Sequence, residues 1–348
     1  MDGPVATRHS ELVRNAGLCS GQWRCRFDHR YLRPEPGDQR LVLARLNQCH
    51  EKTRNKLILL NASCPSLTIM DPAHVALARQ MMSDTVDKTK MYVDMDQSKA
   101  YAEHRPRYTD ELFKTIVDYC KETNPNLNLA VDVGCGPGMS TTGFAKYFKK
   151  IIGVDVSETQ VACAPKDIPN CEFKVGYSDK LPFIKSGTVD LFCTGESFNL
   201  MPQKETFAEA DRVLRPGGTI AIFGYDLPQS DNPEINAVIQ KMYLTMIPYW
   251  PKESTQIFDK FASVEIPYPG WIRNDSLKLT ITVDPKTYMG MLRSTWPVVA
   301  YSKEHPSEDF VGQIYEQVQE ILTKSGSGKQ TFDISYNLFI LMGHKPKP

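Results

Sequence analysis

The residues best suited to chemistry lie in the stretch Leu129–Thr142, LAVDVGCGPGMSTT. An apolar run there carries an acid near its end, Asp132. Three glycines then occupy alternate positions: Gly134, Gly136 and Gly138. The run predicts a short buried strand, and glycines let backbone N–H groups approach a ligand closely. A strand, a glycine loop and a following helix N-terminus together predict a site for a nucleotide or a carboxylate.

The spacing of the glycines separates the ligand classes. A dinucleotide fingerprint needs G-x-G-x-x-G, and its third glycine would fall on Met139. The pattern present is instead D-x-G-x-G-x-G, beginning at Asp132. An ordinary strand-to-helix turn explains roughly one in three such matches when nothing else supports them. The interpretation of the loop as a ligand site therefore depends on the sequence elements around it.

Composition narrows the choice of partners and compartment. The 348 residues contain 41 Lys plus Arg and 41 Asp plus Glu, so no overall field favours nucleic acid or an anionic membrane. The nine cysteines are scattered and no secretory signal is recognised, so we expect reduced thiols and a cytoplasmic protein. Apolar runs are much shorter than the ~20 residues of a membrane span. Neither a nucleic acid nor a membrane is expected as a partner.

The elements around the loop repeat a strand-helix pattern. Five buried strands are predicted, separated by helical segments: 130–133, 151–154, 171–175, 189–194 and 219–224. This alternation predicts an α/β fold with a doubly wound, mainly parallel sheet. Asp155 closes the second strand, and Ser157 to Gln160 reads as the capping box of a new helix. An acid at that edge can accept hydrogen bonds from both hydroxyls of a ribose.

The two ends of the chain differ from this core. Residues 1–82 are rich in arginine without a sustained apolar period, so we expect a poorly ordered extension, with a helix from Pro72 to Met82 leading into a domain of residues 83–348. The cysteines and histidines of the extension lack zinc-finger spacing, and no metal site is expected.

A loop is predicted over residues 100–108. Residues 228–306 are rich in Pro, Tyr and Trp and read as substrate-side additions. Within and after them we predict a sixth strand, two helices and a last strand: 261–266, 285–296, 309–324 and 331–342.

Three features together carry a family resemblance: the acid and glycine loop, Asp155 after the second strand, and LRPGGTIAIFGY at Leu214–Tyr225. With them, the chain resembles class I S-adenosylmethionine-dependent methyltransferases, and within that class the family of the trans-aconitate methyltransferases. The resemblance extends from Met91 to the C-terminus. It implies a seven-stranded Rossmann-like methyltransferase sheet with helical additions on the substrate side, and S-adenosyl-L-methionine as the cofactor.

The resemblance also implies roles for individual residues. The three glycines would hold the carboxypropyl part of the cofactor, Asp132 would brace the loop or meet the amino group, and Asp155 would bind the ribose. Ser178 and Asp179 fall where relatives contact adenine, although Tyr177 stands where many members of the superfamily have Asp. Three further residues would lie on the cofactor side. Tyr101 and Arg105 would form a lid over the cofactor, and Thr194 stands at the end of the fourth strand.

The acceptor side is less defined by the sequence. Glu196 follows the fourth strand beside the expected methyl-transfer position, and would be a general base if the acceptor were an alcohol or amine. A carboxylate acceptor would need no base. Three arginines are candidates for pairing with an acidic acceptor: Arg107, Arg273 and Arg293. Four aromatic residues could line an apolar pocket: Tyr249, Trp250, Trp271 and Trp296.

Three functional hypotheses follow. The first is methyl transfer to a small molecule, with a carboxylate as one option. The second is an S-adenosylmethionine-binding pseudo-enzyme that acts through a partner, because Glu196 and Asn199-Leu200 stand where relatives often show Gln and His-Trp. The third, a nicotinamide oxidoreductase, is disfavoured by Met139. The sequence predicts neither the acceptor nor the oligomeric state.

Overall fold

The computed structural model describes residues 78–348 except 85, 89, 90, 326, 327 and 329. The predictions of a poorly ordered extension and of a helix starting at Pro72 concern residues that lie mostly outside this range. Within it, residues 78–81 are helical. Ala78 and Met81 are fully buried, and Met82 nearly so, among the apolar side chains that cover one face of the central sheet.

The described residues form a nine-stranded sheet with helices on both faces. Its strands are β1 Leu129–Val133, β2 Lys150–Asp155, β3 Cys171–Val175, β4 Val189–Gly195, β5 Leu214–Tyr225, β6 Gln229–Ser230, β7 Ile272–Asn274, β8 Lys278–Val283 and β9 Phe332–His344. The path runs β3-β2-β1-β4-β5-β9-β6, and β1 to β5 are parallel. The predicted parallel, doubly wound sheet is therefore confirmed.

The last strand, β9, organises the C-terminal half of the chain. Its second half pairs antiparallel with β5 on one side and with β7 on the other. Its first half pairs with β6 and β8. The seven strands β3-β2-β1-β4-β5-β9-β7 give the number of strands that the resemblance implied, with β7 in place of the strand predicted at 261–266. Strands β6 and β8 extend the sheet along the first half of β9.

Ten further α-helices follow the helical residues 78–81 in the described range. They are α1 Met95–His104, α2 Asp110–Thr123, α3 Met139–Phe144, α4 Glu158–Ala162, α5 Gln203–Val213, α6 Pro233–Met246, α7 Thr255–Phe258, α8 Pro285–Arg293, α9 Trp296–Glu304 and α10 Phe310–Lys324. Thr109 caps α2 by accepting a hydrogen bond from the N–H of Leu112. Ser157 likewise caps α4, although the Gln160 side chain does not complete the capping box.

Two predicted segments differ in the structure. Residues 261–263 form a turn and residues 264–266 have no regular secondary structure, because Lys260 and Phe261 both have left-handed backbone, each with φ of 55°. Phe261, Val264 and Ile266 are apolar because they pack on the sheet, and the strand beside β9 is β7 instead. The expected loop over 100–108 is helical up to His104, the end of α1.

The helix predicted from Pro285 to Trp296 is two helices. The first, α8, ends at Arg293. Trp296 then begins α9, whose second residue is Pro297, a residue favoured in the first turn of a helix. The predictions of α10 and of a last strand that closes the sheet are confirmed.

The burial of Met81 gives a stability prediction. Met81→Ala removes a fully buried side chain and leaves a cavity, so we expect a loss of about 2–4 kcal/mol in the free energy of unfolding. The matched control is Met95→Ala, because Met95 is 38% exposed and should change stability by no more than about 0.5 kcal/mol. Urea denaturation of both variants measures the difference, and equal stabilities would contradict the core position of Met81.

Candidate cofactor and acceptor site

A cavity of about 420 Å³ lies at the carboxyl edge of the sheet. The segments that follow all five parallel strands contribute to its lining. Carboxyl ends of parallel strands are the usual ligand edge of such folds. Eight of the predicted site residues line it: Tyr101, Arg105, Gly134, Gly136, Asp155, Ser178, Asp179 and Glu196. Three others lie behind the lining: Asp132, Gly138 and Thr194.

Left-handed backbone shapes the glycine loop. Gly134, Gly136 and Gly138 have φ of 66°, 54° and 88°, values that residues with a side chain seldom adopt. A Cβ on Gly134 would lie 2.3 Å from Ser197 Oγ, and one on Gly138 would lie 2.5 Å from the Phe173 ring. The loop backbone can therefore adopt this conformation only with glycine at these positions.

Asp132 holds the loop from beneath. Its side chain is fully buried, and its Oδ2 accepts hydrogen bonds of 2.6 Å from Ser140 Oγ and from Thr141 Oγ1. Burial raises the pKa of this carboxyl to about 6, and the two hydroxyls oppose that rise. Both hydroxyls belong to α3, so Asp132 ties β1 to the helix that follows the glycines. The resemblance implied that Asp132 either braces the loop or contacts the amino group of the cofactor, and these hydrogen bonds favour the first role.

Asp155 lines the cavity and organises the backbone around it. Its Oδ2 accepts from the N–H of Gly136 at 2.8 Å, and its Oδ1 accepts from the N–H of Ser157 at 2.9 Å. Burial raises its pKa, and these backbone donors oppose the rise. Each carboxylate oxygen keeps a further lone pair, so both can accept from a pair of ligand hydroxyls.

Two observations test whether this half of the cavity fits S-adenosylmethionine. A Cβ on Gly136 would meet only Gln160 Oε1, 3.6 Å away, so the loop leaves open space in front of its backbone. Gln160 Oε1 is itself buried without a hydrogen-bond partner. An unpaired buried acceptor beside an acid and a glycine cradle suits a ligand with amino and hydroxyl donors. The residues present fit the cofactor.

The segment after β3 provides the predicted adenine side. Ser178 and Asp179 both line the cavity, and the Ser178 hydroxyl pairs with Thr206 Oγ1 at 2.8 Å. Tyr177 also lines it and is 64% exposed, so its ring stands at the rim. The Ser178 hydroxyl is thus already hydrogen-bonded to a residue of α5. The side chains of Asp179 and Tyr177 are the ones that can contact the adenine base.

Residues before α1 close the cavity from the other side. Three hydroxyls donate to the carbonyl oxygen of Tyr92: Ser157 Oγ at 2.8 Å, Thr159 Oγ1 at 2.9 Å and Ser98 Oγ at 3.2 Å. The Tyr92 ring meets the Tyr101 ring edge-on at 5.1 Å, and the guanidinium of Arg105 lies 4.8 Å from the Tyr101 centroid. These contacts give Tyr101 and Arg105 fixed positions over the cavity, as a lid requires.

Glu196 occupies the acceptor half in a strained conformation. Its φ is 58°, and its Oε1 accepts from the N–H of Tyr225 at 2.7 Å. Burial raises the pKa of this carboxyl to about 7, with Tyr225 N–H and Arg105 opposing the rise and Asp226 adding to it. Thr194 is almost fully buried and its hydroxyl pairs with Ser197 Oγ at 2.9 Å. Thr194 therefore supports this segment from behind.

The arginines suggested for an acidic acceptor are not in the cavity. Arg107 is exposed, Arg273 pairs with Asp275 at 2.7 Å, and Arg293 lines a separate surface groove. Arg105 lines the cavity instead. Of the four aromatic residues suggested for the pocket, only Trp250 lines it.

Several lining residues had no signal in the sequence. Gln160 was interpreted only as part of a helix cap. Tyr92 and Tyr243 belong to segments without a motif, and Tyr336 lies within β9. Their positions depend on how β9 and α6 fold back over the sheet edge, which local sequence patterns do not specify.

The geometry is that of a class I methyltransferase, and comparisons with known proteins agree. Residues 131–222 match the methyltransferase domain family. The chain is 27% identical over 251 residues to a Dictyostelium discoideum protein named as a candidate methyltransferase, covering 71% of this chain and 93% of that protein. It is 28% identical over 237 residues to methyltransferase ptaI of Pestalotiopsis fici, covering 60% of this chain and 67% of that protein.

One solved structure supports the fold. A candidate type II methyltransferase from Anaeromyxobacter dehalogenans superposes with a TM-score of 0.58 at 24% identity, over 70% of this chain and 99% of that one. With the domain match and the relatives, the chain is an S-adenosylmethionine-dependent methyltransferase, and S-adenosylmethionine is its cofactor.

Two searches of the described residues bear on other site types. Every helix in that part of the chain is too short or too polar to cross a membrane. Within the same residues, no group of three or more His, Cys, Asp or Glu side chains is placed to hold a metal ion.

The role of Asp155 gives a binding prediction. Asp155→Ala removes a charged acceptor, so we expect cofactor binding to weaken by about 1.5–3 kcal/mol, or roughly 10- to 150-fold in Kd. Isothermal titration with S-adenosylhomocysteine measures the change. Asp167→Ala is the control, since Asp167 is exposed and outside the cavity. An unchanged Kd for Asp155→Ala in a folded protein would exclude the ribose assignment.

Proposed function

We propose that the protein methylates a small-molecule carboxylate. The observation that carries this proposal is Arg105, a cation that lines the acceptor half of the cavity and whose Nε has no hydrogen-bond partner among the described residues. The other described cation in the lining is Lys88, which pairs with Glu253 at 2.8 Å. Arg105 is therefore the group best placed to hold an anionic acceptor, and its planar guanidinium suits a carboxylate.

The surroundings of Arg105 support an oxygen acceptor enclosed from water. Its neighbours in the cavity are tyrosines: Tyr92, Tyr101, Tyr225, Tyr243 and Tyr336. Burial raises the pKa of Tyr225 and of Tyr243, so both stay neutral at physiological pH. A neutral aromatic wall strengthens the interaction between one guanidinium and one acceptor anion.

The bound cofactor supplies a methyl group on a sulfonium that is already a good leaving group. What this chain contributes is placement: the glycine loop and Asp155 fix one side of the cavity, and Arg105 orients the acceptor on the other. Holding two reactants in line is worth up to about 7–11 kcal/mol of the barrier in favourable cases. Glu196 lines the acceptor half and is the proposed catalytic contact to the acceptor.

The resemblance to trans-aconitate methyltransferases supports an acidic acceptor but does not identify it. Glu196 and Asn199 stand where trans-aconitate methyltransferases often have Gln and His, so trans-aconitate itself is not proposed. A cytoplasmic location and the division of the chain into an N-terminal extension and a methyltransferase domain also belong to the proposal, with the boundary moved from residues 82 and 83 towards the N-terminus. The burial of Ala78 and Met81 favours a start of the domain at or before residue 78. Nothing in the described part of the chain favours the pseudo-enzyme alternative.

A labelled-methyl assay tests the proposal. The full-length protein is incubated with methyl-labelled S-adenosylmethionine and a set of mono-, di- and tricarboxylic acids, with alcohols and amines of matched carbon skeleton as controls. We expect label in a product that alkali converts to methanol, because methyl esters are alkali-labile whereas ethers and methylamines are not. Label only in alkali-stable products, or no product from the set or from a cell extract, would contradict the proposal.

The role of Arg105 has its own test. Arg105→Gln removes a charged donor to the acceptor, so we expect the KM of the acceptor acid to rise roughly 10- to 150-fold with little change in the Kd of S-adenosylhomocysteine. The matched control is Arg107→Gln, an exposed arginine outside the cavity. Equal KM values in the two variants would show that Arg105 does not hold the acceptor.

A further inference from the structure

Strand β3 leaves one edge of the sheet open in the part of the chain that the structure describes. It ends the path of strands, and its one described partner there is β2. A strand at an open edge presents backbone donors and acceptors to which another strand can bind. The edge at Cys171–Val175 is therefore a candidate interaction surface.

Every second residue of β3 directs its backbone groups away from the sheet. The N–H of Gly176, just after the strand, donates to the carbonyl oxygen of Asp155 in β2 at 2.9 Å. Backbone direction alternates along a strand, so the even-numbered residues of β3 bond to β2 in the same way. The N–H and C=O groups of Phe173 and Val175 therefore face the open edge.

Apolar side chains at this edge are exposed. Val175 is 49% exposed and lies outside the lining of the cofactor cavity, so the cofactor would not cover it. Tyr177, at the rim of that cavity, is 64% exposed. Exposed apolar residues beside unpaired backbone groups are typical of a surface that another protein chain covers.

The charges of β3 match those of a second copy of the same strand. The strand reads CEFKV, with Glu172 and Lys174 on either side of Phe173. In an antiparallel pair with the two Phe173 residues opposite each other, Glu172 of each copy lies opposite Lys174 of the other. Opposite charges that face each other across two strands stabilise their pairing.

The neighbouring registers are disfavoured by the same charges. Outward-facing residues must stay opposite outward-facing residues, so the next registers place the two-fold axis at Glu172 or at Lys174. An axis at Glu172 sets two carboxylates opposite each other, and an axis at Lys174 sets two ammonium groups opposite each other. Like charges directly opposite destabilise a strand pair. The sequence of β3 therefore favours one antiparallel register.

We propose that the protein forms a symmetric dimer in which two β3 strands pair antiparallel with Phe173 at the two-fold axis. The two Phe173 residues then exchange two backbone hydrogen bonds. On each side of them, the N–H of Val175 donates to the carbonyl oxygen of Cys171 in the other copy. Both copies use the same surface, so the contact closes at two chains and one sheet continues through the dimer.

A second copy fits this edge better than an unrelated strand does. Lysine on an edge strand usually opposes pairing, and Lys174 is such a residue. In this chain Glu172 already lies between Lys150, at 2.7 Å, and Lys174. The dimer gives each Lys174 a second carboxylate, which a strand of unrelated sequence would have to supply at the matching position. The order of the two charges therefore points to this chain itself as the partner.

The interface adjoins the cofactor site and does not depend on the acceptor. The ring of Phe173 lies beside the glycine loop, where a Cβ on Gly138 would come within 2.5 Å of it. A second strand would hold β3, and with it this ring, against the loop. Dimer formation and the identity of the acceptor are independent, and either can be wrong alone.

Exchange of the two charges tests the register. Sedimentation equilibrium of the full-length protein, over a series of concentrations, should show a dimer for the wild type. Glu172→Lys and Lys174→Glu each set like charges opposite each other, so each should raise the dimer dissociation constant roughly tenfold or more. The variant with both substitutions restores opposite charges and should recover most of that loss. The control Glu205→Lys makes the same charge change at an exposed position of α5 and should leave the dimer unchanged.

Mixing the two single variants gives a second test. Glu172→Lys contributes two lysines and Lys174→Glu contributes two glutamates, so a mixed pair has opposite charges at both positions. We expect heterodimers in the mixture at concentrations at which each variant alone is monomeric. Binding of S-adenosylhomocysteine by each variant shows that the monomers are folded.

Val175→Pro tests the backbone hydrogen bonds. Proline removes an N–H that faces away from β2, a place where edge strands tolerate it, so the monomer should still bind S-adenosylhomocysteine. The dimer loses two hydrogen bonds, and its dissociation constant should rise roughly 5- to 150-fold. Val175→Thr is the matched control, because it keeps both the N–H and the branched shape.

Three results would overturn the inference. One is a wild type that stays monomeric at every concentration. Another is a dimer that persists in both single charge variants and in Val175→Pro, which would mean that the copies meet through a different surface. The third is a double variant as monomeric as the single ones, with no heterodimer in the mixture, which would mean that Glu172 and Lys174 do not face each other.

Discussion

The fully buried carboxyl of Asp132 is the interaction on which the site depends. It lies in β1, the middle one of the five parallel strands, and accepts hydrogen bonds from the hydroxyls of Ser140 and Thr141, each at 2.6 Å. Burying a carboxyl group without hydrogen-bond partners would cost folding free energy, and here two hydroxyls donate to it. Their hydrogen bonds set where α3 begins. The glycine loop must span the gap between strand and helix, and Asp155 then holds the loop through the N–H of Gly136.

The acceptor half depends on longer-range contacts. Strand β9 pairs with β5 along its second half, which places Tyr225 and Asp226 at the cavity. Asn337 of β9 donates from its N–H and its amide to Asp226, at 2.8 and 2.6 Å. The end of α1 adds Arg105 from the opposite side. A cavity built this way has one well-defined cofactor wall and an acceptor wall assembled from distant parts of the chain.

This division explains which features the sequence could predict. The five parallel strands, the glycine loop and the acids Asp132 and Asp155 follow from local patterns, because each strand and each turn carries its own signal. The supposed strand at 261–266 was wrong, since apolar residues that pack on a sheet give the same pattern as residues that join it. For the cation of the acceptor half the sequence suggested Arg107, Arg273 and Arg293, whereas the cation in the cavity is Arg105, for which the resemblance implied only a place in the lid. Burial in a cavity formed by distant segments leaves no local trace.

The choice between S-adenosylhomocysteine and NAD by the 348-residue chain tests directly which ligand the cavity binds. Isothermal titration compares S-adenosylhomocysteine with NAD, which the glycine spacing and the absent glycine at Met139 disfavour. We expect one S-adenosylhomocysteine bound per chain and no heat from NAD at the same concentration. Saturable binding of NAD in preference to S-adenosylhomocysteine would contradict the assignment of the cavity.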